Sequence, residues 1–285
     1  MGRLPEWLRR RLPLHLSLET GDILEKYQLN TVCESALCPN RSECWSRRTA
    51  TFMILGNRCT RRCGFCAIET GRPESVEEDE PDRVARAAEE LGLQYVVVTS
   101  VARDDLADEG AEHFHRCIQA LKMQIPGVQV EVLTPDFHAR PELMSRVCEA
   151  GPAVYNHNLE TVARLQRRVR PQAGYERSLK VIEWVGESFP EICTKSGLML
   201  GLGEKEEEIL EASRDLREAG CRILTLGQYL SPSEEHLELV EFIPPEVFQR
   251  LADRIREMGF QEVYAGPYVR SSYHAKESFA NVRGH

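Results

Sequence analysis

The stretch Thr51-Phe52-Met53-Ile54-Leu55-Gly56-Asn57-Arg58-Cys59-Thr60-Arg61-Arg62-Cys63-Gly64-Phe65-Cys66 decides how this chain is read. Its first five residues are a short apolar, β-prone run, and the loop that follows carries Cys-x3-Cys-x2-Cys. Three thiolates on one tight loop can hold three irons of a [4Fe–4S] cube, which leaves the fourth iron open as a reaction site. Zinc is the alternative, but a structural zinc site wants four closed ligands, and no fourth Cys or His stands at the usual short spacing.

Downstream, short β-branched or apolar runs alternate with helical patterns, the signature of βα units around a parallel sheet. Candidate strands are 51–55, 95–100, 128–133, 153–156, 197–201 and 223–226. Helical patterns fall near 82–91, 111–123, 141–149, 161–169, 175–187, 205–219 and 245–258. Six such units are too few to close an eight-stranded barrel. The expected fold is therefore an open partial (βα)6 TIM-like barrel, with its active site at the C-terminal ends of the strands. Residues 73–82, rich in Glu and Asp, read as a solvated loop, and the chain from about Ala275 reads as a tail. The expected organisation is an N-terminal extension (1–50), a barrel (51–260) and a C-terminal extension (261–285).

With 285 residues, 42% apolar and 28% charged, the composition is that of an ordinary globular protein. A net charge of −9 argues against general nucleic-acid binding. No run approaches the roughly 20 apolar residues of a membrane helix. The N-terminal stretch 7–18 is Arg-rich but short, with Glu6 just before it, so no transit peptide is expected and the chain reads as a cytoplasmic monomer. Ten cysteines in a reducing compartment are not a disulfide framework. Cys117, Cys148, Cys193 and Cys221 are scattered and read as small buried apolar residues.

The other six cysteines lie together, because a second triplet, Cys33, Cys38 and Cys44, forms Cys-x4-Cys-x5-Cys upstream of the first. It too offers three thiolates and no near fourth ligand, leaving open a zinc site completed by a distant residue such as His157. Near the C-terminus stands Arg270-Ser271-Ser272-Tyr273.

The second half of the opening stretch resembles the radical SAM signature. The two triplets together with Arg270-Ser271-Ser272-Tyr273 resemble the lipoyl synthase family over nearly the whole chain. That resemblance implies two [4Fe–4S] clusters. One, on Cys59, Cys63 and Cys66, chelates S-adenosylmethionine (SAM) through its open iron. The other, auxiliary, is held by Cys33, Cys38, Cys44 and Ser272, and gives up its own sulfide. A serine oxygen is a poorer partner for iron than a thiolate, which suits a cluster that is dismantled.

The same resemblance carries Asn158 and Glu160, in Tyr155-Asn156-His157-Asn158-Leu159-Glu160, toward the ribose of SAM. An ordinary strand end with a helix cap is the plainer reading. It also places Ser100 near the methionine amino group. Arg170 can pair with a methionine carboxylate or lie on a solvated helix face. Gly201, within Gly-Leu-Met-Leu-Gly-Leu-Gly-Glu, permits close approach to the adenine. Lys195, Gln228 and Tyr229 lie at strand ends without an assigned role. Many members of the family carry an acidic residue where Ala102 stands and glycine where Glu109 stands.

The implied reaction inserts two sulfurs, at C6 and C8 of an octanoyl group borne by a lysine of a lipoyl domain or the glycine-cleavage carrier protein. Electrons are expected from a ferredoxin or flavodoxin, since no flavin or nicotinamide motif is present. Two rival readings are a biotin synthase-like sulfur-inserting enzyme, and a non-catalytic zinc-binding protein.

Overall fold

The computed structural model of the chain describes residues 4–9 and 18–283; of the Arg-rich segment 7–18, residues 10–17 lie outside the described residues. Seven parallel strands follow one another around one sheet: β1 (Thr51–Ile54), β2 (Tyr95–Ser100), β3 (Gln129–Leu133), β4 (Val154–Asn156), β5 (Cys193–Leu200), β6 (Ile223–Gln228) and β7 (Glu262–Gly266). Helices α1 (Glu80–Glu90), α2 (Ala111–Gln124), α3 (Pro141–Glu149), α4 (Tyr175–Ser188), α5 (Glu206–Glu218) and α6 (Pro245–Arg256) alternate with them. Six βα units thus precede β7. The two-residue strand Asn30–Thr31 pairs antiparallel with β1 and makes one edge of the sheet, and β7 makes the other. The two edges do not pair, so the barrel is open.

Strands of a parallel sheet are covered on both faces and so read as continuous apolar runs. In β2 the outward Val96 and Val98 pack among Val84, Ala87 and Ala88 of α1, while Tyr95 and Val97 face the barrel interior. Cys117, Cys148, Cys193 and Cys221 are buried free thiols, as their scattered positions implied. Gly110, with φ of 88°, precedes α2 where a Cβ would stand 2.3 Å from the Leu55 side chain. Only glycine fits that approach.

Three expectations need correction. The sheet has eight strands rather than six, because Asn30–Thr31 is only two polar residues long and β7 (Glu262-Val263-Tyr264-Ala265-Gly266) is a short edge strand in which only Val263 is buried. Residues 73–82 do not end as a solvated loop, since α1 already begins at Glu80. The Glu80 carboxylate is buried, accepting from Leu55 N (2.9 Å) and meeting His113 Nε2 (2.7 Å). The supposed tail is helix α7 (Ala275–Arg283). Ala275 and Phe279, one turn apart, pack against Tyr95, Val154, Cys193 and Ile223 and close the lower barrel.

Above that plug lies a polar layer. Lys195 Nζ reaches both oxygens of Glu131 (2.9 and 3.1 Å), which also accept from the Tyr95 hydroxyl (2.6 Å) and Asn156 Nδ2 (3.1 Å). Lys195 and Glu131 are almost wholly buried. A buried pair is tolerated when hydrogen bonds satisfy it in this way, and removing one partner typically costs about 3–5 kcal/mol. The pair forms the floor of the site.

Candidate metal and cofactor site

Over this floor, at the C-terminal ends of the strands, opens a cavity of about 500 Å3. Cys59, Cys63 and Cys66 reach it from the loop after β1, Cys38 from the N-terminal segment, and Ser271 and Ser272 from the C-terminal one. Cys38 and Ser272, at opposite ends of the sequence, therefore border one cavity.

The loop after β1 is clamped from several sides. Cys59 Sγ accepts the backbone N–H of Arg61 (3.4 Å) and of Ala102 (3.3 Å), so Ala102 serves the loop through its backbone. Gly64 N donates to Val169 O (2.9 Å) and Gly71 N to Cys59 O (3.0 Å). Arg61 is buried, with NH2 2.6 Å from Asp104 and NH1 2.8 Å from Asp136, and Arg177 lies 2.8 Å from Asp136 on the other side. Burial opposes ionisation of Asp136, yet these arginines hold its carboxyl down to about 2.

Burial, with the neighbouring thiols, pushes Cys66 up to about 12 and raises Cys63. The same causes act in the other triplet, on Cys33 (about 11) and Cys44 (about 12). Such thiols ionise only beside a positive centre, which a bound metal supplies. In a tetrahedral zinc site, Zn–S bonds near 2.3 Å bring sulfurs to about 3.8 Å from one another. Among the described residues neither triplet gathers three ligand atoms within 4.8 Å of one another. Nor does His157 complete a zinc site: its Nδ1 meets Thr134 O (2.9 Å) and its Nε2 meets Ser178 Oγ (3.0 Å). Burial and Arg170 keep it neutral, its pKa lowered to about 4.

The N-terminal triplet is held differently. Cys33 lies on the turn Val32–Ser35 and Cys44 on the helix Arg41–Ser46. Between Cys38 and Cys44, buried Asn40 donates to Tyr268 O (2.7 Å), and Glu43 accepts from the Tyr273 hydroxyl (3.0 and 3.1 Å). The cysteine segment and the Arg-Ser-Ser-Tyr segment are thereby clasped together.

Ser100 and Asn158 border the cavity, and Ser100 Oγ and Asn158 Oδ1 are buried with no hydrogen-bond partner among the described residues. Buried polar atoms left this way are costly unless a ligand satisfies them. Asn158 Nδ2 donates to Glu160 Oε1 (3.1 Å), and Glu160, at φ of 68°, is tied on both sides to β5 through Gly197 O and Met199 N. Burial raises the Glu160 pKa against the pull of Arg170. Arg170 borders the cavity and is not on a solvated face: it is buried, and its NH1 donates to Asn158 O (2.8 Å).

Gly201 corrects an expectation. It does not border the cavity, and a Cβ there would meet Gln228 Nε2 at 2.4 Å and Glu241 O at 2.6 Å. Alternation along β5 turns Gly197 and Met199 inward, whereas Gly201 lies beyond the strand under the 239–241 segment. Gly197 is the glycine at the cavity wall, with Asn158 Oδ1 3.0 Å from where a Cβ would stand. Gln228 is occupied with Leu200 O, Tyr229 O and Glu241 O, and so pins that segment. Sequence reasoning passed over Glu131, Asp136 and Arg61. A carboxylate amid Gln129-Val130-Glu131-Val132-Leu133 was the available signal for the first.

Residues 53–216 match the family described as the radical SAM superfamily. The lipoyl synthase of Rhodopirellula baltica is 55% identical over 97% of this chain and 88% of its own length. That of Caldanaerobacter subterraneus subsp. tengcongensis is 53% identical over 99% of both. The chain belongs to the lipoyl synthase family.

The fold agrees with this membership. Superposed on HydG, a maturase of the [FeFe]-hydrogenase, the chain gives a TM-score of 0.59 over 93% of its length and 67% of that chain, at 16% identity. Methylornithine synthase (PylB) gives 0.56 over 75% and 70%, at 15% identity. These likenesses concern the fold alone, the partial barrel of radical SAM enzymes. Among the described residues no helix is long and apolar enough to cross a membrane. Within the lipoyl synthase family the Glu109 departure has a physical reading. Glu109 sits at φ of 50°, where glycine is unstrained, and its carboxylate meets His138 Nδ1 (2.7 Å) and Arg140 NH2 (2.9 Å), which offsets the strain. With Asp104 these residues form a compact acid–His group, already engaged with arginines.

Proposed function

We propose that this member of the lipoyl synthase family binds SAM and two [4Fe–4S] clusters around one cavity. With them it inserts sulfur at C6 and C8 of an octanoyl chain borne by a protein lysine. The observation that carries this reading is the convergence of Cys59, Cys63 and Cys66 with Cys38 and Ser272 on a single cavity. A sulfur source and a hydrogen-abstracting centre must face the same substrate carbon.

In this reading Cys59, Cys63 and Cys66 hold one cluster, with an iron left for SAM. Ser100 Oγ and Asn158 Oδ1 accept hydrogen bonds from SAM, Glu160 receives ribose hydroxyls, and the guanidinium of Arg170 lies near the methionine carboxylate. Cys33, Cys38 and Cys44 hold the auxiliary cluster with Ser272, the ligand most easily released. When bound, these groups supply a 5′-deoxyadenosyl radical and sulfide, as an unactivated C–H bond requires, having no proton for a general base to take. The closed Lys195–Glu131 floor and the α7 plug seal the cavity from below, so the acyl chain enters from the open end of the cavity above the C-terminal ends of the strands. Of the extensions 1–50 and 261–285, the segments 33–44 and 268–273 serve the auxiliary cluster jointly, whereas β7 and α7 complete the barrel that serves SAM. The acyl donor is an octanoylated lipoyl domain or glycine-cleavage carrier protein, and a ferredoxin or flavodoxin delivers electrons.

The test is anaerobic reconstitution with iron and sulfide, then incubation with SAM, dithionite and an octanoyl-lysine peptide. The expected products are 5′-deoxyadenosine and a peptide carrying two added sulfurs by mass spectrometry. 5′-Deoxyadenosine with an unchanged peptide would contradict the substrate assignment.

A further inference from the structure

Around the loop after β1, residues 57–72 and 163–173 carry eight arginines against one carboxylate, Glu69, in a chain whose net charge is −9. Four of the eight have work within the fold: Arg58 pairs with Glu69, Arg61 with Asp104 and Asp136, and Arg164 with Glu208, while Arg170 is buried at the cavity. The remaining four, Arg62, Arg72, Arg167 and Arg168, are exposed, and none has an acidic partner among the described residues.

Backbone contacts bring the four around one loop. The Gln172 side chain accepts from Arg62 N (2.6 Å), and Val169 O accepts from Gly64 N, which sets the turn Gln166–Val169 against the cysteine loop. Gln166 and Val169 are buried, so Arg167 and Arg168 point outward. Gly71 N on Cys59 O fixes Arg72 beside the same loop. None of the four borders the cavity, whereas Cys59, Cys63 and Cys66 do. On the other flank of the loop, Leu237 N bonds Gly64 O and the neighbouring Glu234, Glu235 and Glu238 are exposed. The loop therefore carries a charge divide, basic on its Arg62 side.

We propose that the Arg62–Arg72–Arg167–Arg168 face docks an acidic one-electron carrier protein. The inference rests on the reading of Cys59, Cys63 and Cys66 as cluster ligands. In the docked complex one electron passes from the carrier's low-potential centre to the SAM-binding cluster; the carrier is oxidised by one electron, the cluster is reduced by one, and no bond or proton moves in that step. An electron carrier needs only to come close to the outside of this loop. An acyl carrier must instead present its chain at the cavity rim, where the four arginines are not. Unpaired surface charge of one sign steers an oppositely charged partner, and the effect is screened beyond about 10 Å at 0.1 M salt.

The experiment compares the reconstituted chain with its Arg62→Glu, Arg167→Glu, Arg168→Glu triple variant, using flavodoxin as the probe. Affinity is measured by titration at several salt concentrations, and 5′-deoxyadenosine formation is driven either by reduced flavodoxin or by dithionite. A control with the same charge change places Glu at Arg86, Lys180 and Arg214, exposed positions elsewhere on the barrel. The expected result is flavodoxin binding weakened about tenfold or more, with a shallower salt dependence. Flavodoxin-driven turnover should fall in parallel, while dithionite-driven turnover and the control stay at the parent level. Equal flavodoxin affinity in parent and triple variant would overturn the proposal, as would weakened binding of an octanoylated lipoyl domain with flavodoxin binding intact. Loss of dithionite-driven turnover in the parent protein would instead indict the cluster assignment. Should the triple variant lose its dithionite-driven turnover, the Arg→Gln set at the same positions is read in its place, with a smaller loss of flavodoxin affinity expected.

Discussion

The two thiol triplets offer the same donors but are anchored in opposite ways. The Cys59–Cys66 loop is fixed by the barrel itself, through backbone bonds to Ala102, Val169 and Gly71 and the buried Arg61–Asp136 pair. The Cys33–Cys44 segment leans on the far end of the chain, through Asn40 to Tyr268 and Glu43 to Tyr273. A centre that must return unchanged after every turnover is built into the scaffold. In the proposed reading, the one that gives up sulfur sits where segments near the two ends of the chain are clasped together.

This contrast breaks most sharply by removing one thiol from each triplet. Cys63→Ala is expected to abolish 5′-deoxyadenosine formation while iron analysis still finds the auxiliary cluster. Cys38→Ala should keep SAM cleavage and yield no sulfur-bearing peptide. Product from the Cys38 variant would remove the distinction between the two sites.

The clasp comes next in size. A hydrogen bond to a charged group contributes about 1.5–3 kcal/mol. Tyr273→Phe and Glu43→Gln should each lower sulfur insertion about tenfold and leave 5′-deoxyadenosine formation near the parent rate. The Mössbauer signal of the auxiliary cluster should change in both variants and that of the other cluster in neither.

On the barrel side, the Asp136 carboxyl is depressed from an ordinary value near 3.8 to about 2. The stabilisation it brings is therefore complete above pH 4 and disappears as pH falls toward 2, and it amounts to about 2 kcal/mol. Urea unfolding of the parent and of Asp136→Asn should differ by that amount at neutral pH and converge in acid. A gap that persists unchanged at the lowest pH would assign the stability to packing. The smallest effect is expected from Glu109→Gly, which relieves a positive φ but removes the contacts to His138 and Arg140; a stability change within about 1 kcal/mol by the same assay is expected.

Much of this was legible in the sequence because it rests on local pattern. β2 is a β-branched and aromatic run, Tyr95-Val96-Val97-Val98-Thr99, ending in Ser100, and its bounds are those the sequence suggested. The cysteine spacings named both triplets before any geometry was available. What was not legible depends on distant partners. β7 and α7 form because β6 and the lower barrel await them, and their own residues give weak signals. Gly201 was misplaced because glycine permits close approach without saying to what, and its neighbour proved to be the chain's own 239–241 segment. Arg170 reads equally well as surface or site until its bond to Asn158 O fixes it inside.

The central claim is that the N-terminal triplet holds the sulfur that enters the product. It is tested most directly by reconstituting the chain with heavy-isotope sulfide, removing free sulfide, and running a single turnover with SAM, dithionite and the octanoyl-lysine peptide. The account predicts a peptide in which both inserted sulfurs carry the heavy isotope, and no such peptide from Cys38→Ala. Inserted sulfur of natural isotope composition, or labelled product from the Cys38 variant, would contradict it.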